Sequence, residues 1–255
     1  MRYVNMLFII LMMSFKLSAQ TVVNAEKLEG YIRDGYYAGG EADIGIERGN
    51  SDVTEFEAMT ITGYKSQKHW IKFLSGFKFL SEEKTSLIRR YFGQLRYNFI
   101  LSDAYRTFVF YQLQHNRSLL LKNRQLIGVG FRGSFAISDL TQFDLGTGLM
   151  VERESLDSEK ITPDDDPISK DFRLANLFLL RHTFNQLFSI MNVAYFQPRV
   201  TDFKDFRLFD ELSLIINIRT NFKLDVSLVW LYDSRPPMTV KRYDFSMKNG
   251  VIFHF

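Results

Sequence analysis

The chain has no cysteine, only five prolines and two tryptophans, and four histidines in 255 residues. Without cysteine there are no disulfides and no residue to carry a lipid anchor behind a leader, so stability has to come from hydrogen-bonded ladders and packing. Beyond the first twenty residues no stretch approaches the roughly 18–20 consecutive apolar residues that a membrane helix needs, which excludes a helical membrane protein. Charge is nearly balanced: 32 Lys and Arg against 29 Asp and Glu give +3, and removing Arg2 and Lys16 with a leader leaves +1. That balance leaves no basic footprint for nucleic acid.

The leader itself is legible. Arg2 supplies the positive start, Met6 to Met13 form an apolar run, and Leu17-Ser18-Ala19 offer small residues for a cut on either side of Gln20. We read residues 1–20 as a secretory signal peptide, too short to span a bilayer as a helix. Residues 21–39 then form a short periplasmic N-terminal segment, with one or two helical turns around Ala25 to Arg33. Residues 40–255 form the folded body.

That body alternates. Walking back by twos from Phe255 gives Phe253, Val251, Asn249, Met247, Phe245 and Tyr243, with His254, Ile252, Gly250, Lys248, Ser246 and Asp244 between them. A period of two that closes on a terminal aromatic is the pattern of the last strand of a transmembrane β-barrel, with one parity toward lipid and the other toward the lumen. Twelve such segments can be drawn. The clearest are Gly40 to Arg48, Arg124 to Ile137, Thr141 to Arg153 and Phe222 to Tyr232. The least regular are Asp171 to Phe184 and Leu187 to Gln197. A composition of 46% hydrophobic residues with mean hydropathy −0.12 fits a barrel, because apolar residues at alternate positions vanish from hydropathy averages.

Connections support the count. Ser66 to Lys68, Ser102 to Ala104, Ser138 to Leu140, Asn185 to Gln186 and Arg219 to Asn221 are tight and rich in turn formers. Longer ones lie between them: Gly49-Asn50-Ser51, Ser81 to Lys84, Asn116 to Asn123, Glu154 to Lys170, Pro198 to Asp205 and Ser234 to Lys241. Short periplasmic turns alternating with longer external loops are the rule for bacterial outer-membrane barrels, and an even strand count leaves both termini in the periplasm. The fold class is therefore an all-β, antiparallel up-and-down barrel of about twelve strands in the outer membrane.

Several segments also carry a resemblance. Gly49-Asn50-Ser51, Tyr97 to Asp103, Gly128-Val129-Gly130, the block Tyr232-Asp233-Ser234-Arg235-Pro236-Pro237, and Tyr243-Asp244 before a terminal Phe resemble the salt-induced outer-membrane protein family over about Gly40 to Phe255. The resemblance implies an outer-membrane barrel of unknown function and supplies no catalytic residues.

The inward parity collects charges of both signs: Glu41, Asp43, Lys72, Lys78, Arg90, Arg96, Arg132, Asp144, Glu152, Lys223, Asp225, Asp244 and Lys248, with Glu47 and Arg173 beside them. A confined charge costs several kcal/mol unless it is paired or wet. Two readings follow: an ion-paired network that stiffens and largely fills the barrel, or a narrow solute-conducting lumen. Aromatics near strand ends read as interface girdles, with Tyr64, Trp70, Tyr97, Tyr105 and Phe255 on the periplasmic side and Tyr195, Trp230, Tyr232 and Tyr243 on the outer side. The acidic run Asp157, Glu159, Asp164, Asp165 and Asp166 lacks the glycine of a calcium loop and reads as a solvated loop. Leu119 to Leu121 lie in an external loop where they would dip into the outer leaflet or belong to longer strands.

Expected partners are outer-membrane lipids and lipopolysaccharide, and the barrel-assembly machinery through the C-terminal strand. No cofactor, metal or nucleic acid is expected. The favoured reading is a non-enzymatic barrel for envelope integrity or limited passive permeation under salt or osmotic stress. The alternatives are an outer-membrane lipid hydrolase, for which His115 and Ser118 are the nearest pair, and a soluble periplasmic lipid-binding β-protein.

Overall fold

The structure is a computed structural model that describes residues 23–24, 26–29, 34–47, 53–82, 85–238 and 240–255, with side chains left out at 45–47, 53–55, 80–82, 85–89 and 118. The leader and Gly49-Asn50-Ser51 lie outside the described residues.

Twelve antiparallel strands form one closed sheet: β1 (Gly35–Glu47), β2 (Val53–Ser66), β3 (His69–Glu82), β4 (Thr85–Ile100), β5 (Tyr105–Asn116), β6 (Leu121–Ser138), β7 (Thr141–Leu156), β8 in two pieces (Ile168–Leu174 and Asn176–Thr183), β9 (Phe188–Arg199), β10 (Asp202–Arg219), β11 (Phe222–Asp233) and β12 (Tyr243–His254). Each strand pairs with the next, and β12 pairs back onto β1, with Gly39 opposite His254 and Asp43 opposite Gly250. The break in β8 falls at Ala175, whose amide still donates to the Gly148 carbonyl at 2.8 Å, so the two pieces act as one stave against β7. Closure removes every sheet edge, the condition for a β-structure to sit in hydrocarbon.

Alternation is written into the exposures. Along β6, Ile127, Val129 and Phe131 are exposed while Arg132 is 3% exposed; along β11, Trp230 is exposed while Asp225 and Ser227 are buried. The molecule is turned inside out relative to a soluble protein: large apolar side chains face outward and Lys72, Asp144, Glu152 and Asp225 are enclosed.

The structure corrects the sequence reading at several points. β1 begins at Gly35, not Gly40, and residues 26–29 form a turn; the rest of the span from Ala25 to Arg33, where one or two helical turns are expected, lies outside the described residues. The connection drawn from Pro198 to Asp205 is a tight turn at Val200 and Thr201, because Pro198 and Phe206 already belong to the ladder, with a bulge between Pro198 and Arg199. Proline tolerates that position because a bulge at a strand end requires no donor from it.

Trp70 is not a girdle residue. It lies one position from Ile71 on the inward parity, is 7% exposed and donates to the Tyr37 hydroxyl at 2.6 Å. Tyr195 also points inward, onto Leu179, Met191, Val193, Phe209, Ile215 and Val229. Tyr64, Tyr97, Tyr105 and Phe255 remain exposed at the turn end, and Trp230 and Tyr243 near the loop end. Leu119 and Leu121 are buried rather than presented to lipid, because β5 runs on to Asn116 and a 3-10 turn at Arg117–Leu119 folds back over the mouth.

Candidate functional site

The lumen is built in layers, and the layer nearest the tight turns is closed by the segment that precedes β1. Asn24 Oδ1 accepts from the Glu26 amide at 3.1 Å and so shapes the turn that carries Glu26, Lys27 and Leu28 inside the barrel. Leu28 is 1% exposed and packs on Ile61, Leu74 and Ile252, with Val23, Tyr37, Met59 and Phe92 around them. Glu26 takes a two-pronged contact from the Arg132 guanidinium at 2.7 and 2.8 Å and a third from Arg181 at 3.1 Å. Lys27 meets Glu41 of β1, and Glu211 of β10 and Asp225 of β11 at 2.9 Å each. Glu29 pairs with Lys72 of β3. A stretch of six residues thus touches strands on all sides of the barrel. We call it the plug.

Burial alone would push the Glu26 carboxyl up, but Arg132, Arg181 and Lys72 outweigh it and hold the group well below the usual carboxylate range. Burial would likewise lower the Lys27 ammonium, but Glu211, Glu41 and Asp225 hold it well above its usual value. Both charges are therefore kept, and both depend on partners in the barrel wall.

Above the plug lies a cavity of about 60 Å³ lined by Val23, Gln94, Arg96, Phe108, Phe110 and Tyr195 among others. Its floor is part polar, part aromatic: Gln94 donates to Gln112 at 2.5 Å, and Arg96 sits 5.2 and 5.3 Å from the Phe108 and Phe110 rings. Above it, Glu152 is the hub of a second ion-paired layer. It accepts from Arg207 at 2.8 and 2.6 Å and from Arg173 at 3.2 Å, while Arg124 approaches at 3.4 Å. Arg173 continues to Asp205 at 2.8 Å, and Arg207 to Glu154 at 2.8 Å. A vestibule of about 180 Å³ opens toward the loops, between Arg124, Arg207, Arg235, Asp166 and Pro236.

The charges picked from the sequence fall into these layers. Glu41, Asp225, Lys72, Arg132 and Asp144 surround the plug, and Arg132 also pairs with Asp144. Glu152 anchors the upper layer. Arg90 and Lys248 share Glu57, with Lys248 at 2.9 Å. Arg96 lines the cavity, Lys223, Asp43 and Asp244 are buried in the wall, and Lys78 is half-buried. Sequence reasoning passed over Asn24, Glu26, Lys27 and Glu29, along with Glu57, Arg124, Glu154, Arg199, Arg207 and Glu211. One signal was available: the inward positions of β1, β10 and β11 carry four carboxylates, Glu41, Asp43, Glu211 and Asp225, against which the neighbouring inward positions set only Lys223 and Lys248.

Outside the lumen, the acidic loop is organised rather than loose. Asp165 accepts from the Thr162 amide and hydroxyl at 3.1 and 2.9 Å and from the Met238 amide at 3.3 Å, joining two external loops. His115 contacts the Lys122 carbonyl through Nδ1 at 2.9 Å and stacks on Tyr91.

A family model described as a protein of unknown function, DUF481, matches residues 41–255. The chain belongs to that family. No curated protein matches it. Among solved structures, an outer-membrane channel from Pseudomonas putida F1 aligns with a TM-score of 0.58 at 11% identity, covering 92% of this chain and 100% of that one. The NanC porin gives 0.51 at 11% identity over 86% of this chain and 99% of that one. The KdgM porin in complex with disordered oligogalacturonate gives 0.51 at 9% identity over 86% of this DUF481 chain. At such identities the likeness is one of fold: a closed antiparallel twelve-stranded barrel of the porin and channel kind.

Proposed function

We propose that this DUF481 chain is a non-enzymatic outer-membrane barrel that limits passive permeation and is closed at rest by its own N-terminal plug. In this reading the leader directs export, both termini and the tight turns face the periplasm, the exposed apolar belt meets lipid and lipopolysaccharide, and the C-terminal strand is what the barrel-assembly machinery engages. The observation that carries the proposal is the seating of Glu26, Lys27 and Leu28 among Arg132, Glu41, Asp225 and the Ile61–Leu74–Ile252 patch. The likeness in fold to porins and channels supports a barrel able to conduct when open, and the resemblance to the salt-induced outer-membrane proteins supports a role in envelope integrity under salt or osmotic stress.

The lumen charges favour transit by small hydrated ions over bulky solutes, since paired carboxylates and guanidinium groups line both constrictions. The test is planar-bilayer recording of the intact protein beside a variant carrying Glu26→Ser, Lys27→Ser and Leu28→Ser. The intact protein is expected to be closed for most of the record, and the variant to show frequent unitary currents. A variant as silent as the parent would mean that the lumen is filled whether or not the plug is seated, and would refute the proposal.

A further inference from the structure

We infer that Glu41, Asp43 and Asp225 form a binding site for one divalent cation of the hard, oxygen-preferring class, set into the seam where β12 closes onto β1. One carboxylate oxygen from each of the three lies within 4.8 Å of the others. Ligands held at about 2.4 Å from a common Ca²⁺-sized ion are at most about 4.8 Å apart, and the three oxygens meet that limit.

The second observation is independent of the clustering. Asp43 Oδ1 and Asp225 Oδ1 are buried and meet no hydrogen-bond donor among the described residues, although the two side chains are only 8% and 1% exposed. The reason they face each other is in the register. Gly250 of β12 is paired with Asp43 on one side and Asp225 on the other. A Cβ built on Gly250 would strike both Oδ1 atoms, so the missing side chain is what lets the two carboxylates converge.

Charge points the same way. Lys27 is shared by Glu41, Glu211 and Asp225, and it engages Asp225 through Oδ2, which leaves Oδ1 directed into the notch. The neighbouring Lys248 is turned to Glu57 at 2.9 Å. Glu41, Asp43, Asp225 and Glu211 share Lys27 and the field of Lys248, itself committed to Glu57, so the enclosed cluster carries more negative than positive charge and favours a further cation. A divalent ion supplies that charge, and Lys27 keeps Asp225 through Oδ2 while Oδ1 faces the notch. The competing chemistry is a proton shared between Asp43 and Asp225.

Titration of the purified, detergent-solubilised full-length protein with Mn²⁺, followed by loss of the free-ion electron paramagnetic resonance signal, separates the two. One saturable Mn²⁺ per chain is expected, displaced by Ca²⁺, and weakened at least tenfold in Asp43→Asn and in Asp225→Asn. The variant Asp164→Asn with Asp166→Asn should keep it, which distinguishes the seam from the external acidic loop. Gly250→Ala retains every carboxylate and fills the notch, so it should also weaken binding at least tenfold, and heat-modifiable gel mobility verifies that each variant is folded. Absence of saturable binding, or equal binding in folded Asp43→Asn and Gly250→Ala proteins, would overturn the assignment in favour of the shared proton.

Discussion

Replacing Glu26 by Gln should loosen the plug by an amount that the structure lets one work out. The carboxylate meets Arg132 twice and Arg181 once, and all of Glu26 and nearly all of Arg132 are enclosed. Removing one partner of a buried pair costs about 3–5 kcal/mol because the other charge is left uncompensated. Arg132 keeps Asp144, at 2.9 Å from Nε, so the low end applies. About 3 kcal/mol corresponds to roughly a hundredfold shift from seated to released plug. The cysteine-free chain offers a direct assay: Leu28→Cys places the only thiol at a position 1% exposed when the plug is seated. Its rate of labelling by a water-soluble maleimide reports the released fraction. We expect labelling about a hundredfold faster when Glu26→Gln is added, at a fixed pH where both proteins are folded. Ser158→Cys, at an exposed site in the external loop, gives the unprotected rate. If Leu28→Cys labels as fast as Ser158→Cys before Glu26 is touched, the plug is not seated in solution and the reasoning fails.

Other expectations follow from the same geometry. The seated Glu26 has its carboxyl held below the ordinary value of 4.5 by Arg132, Arg181 and Lys72, with Arg106, Asp144 and Glu29 also nearby. Because the seated value lies below the released one, its contribution is complete above pH 4.5 and is lost as pH falls from there; the Leu28→Cys labelling rate divided by that of the exposed Ser158→Cys, which cancels the fall in thiolate with pH, should be flat at neutral pH and rise on acidification, and a flat acid limb would contradict this. Glu152→Leu should destabilise the folded barrel by about 3 kcal/mol, read as an earlier urea midpoint in detergent, since Arg173 and Arg207 lose their shared partner but keep Asp205 and Glu154. Val129→Arg, on the exposed mid-barrel face, should cost about 2–4 kcal/mol in lipid vesicles. The same exchange at Gln112, inside the lumen, should cost less if lipid indeed meets the outer parity.

How much of this was legible depended on what the lumen wall is made of. β6, β11 and β12 could be read by eye because the outer parity is apolar and the inner one is mostly polar or glycine, with Leu126, Val229 and Ile252 as the inward apolar exceptions. β8 and β9 could not, because Leu179, Met191 and Val193 face inward onto Phe209, Ile215 and Val229, so both parities are hydrophobic and the alternation disappears. Trp70 and Tyr195 were assigned by distance from a strand end when parity was the better guide. The plug was out of reach for another reason: Lys27 finds Asp225 198 residues away, and a six-residue polar stretch gives no local signal of such a partner. The break at Ala175 left the strand count intact because the β7 ladder runs through it.

The closing seam has a consequence for how the barrel yields. Among the described residues, β1 pairs with β12 over five positions, against thirteen with β2. This is the thin place where the cylinder would part sideways. Lys27 reaches across it, from Glu41 on one flank to Asp225 and Glu211 on the other. The peptide that stoppers the bore is therefore also a clasp on the wall. Axial and lateral opening share one latch, and a force or binding event that frees the N-terminus weakens both.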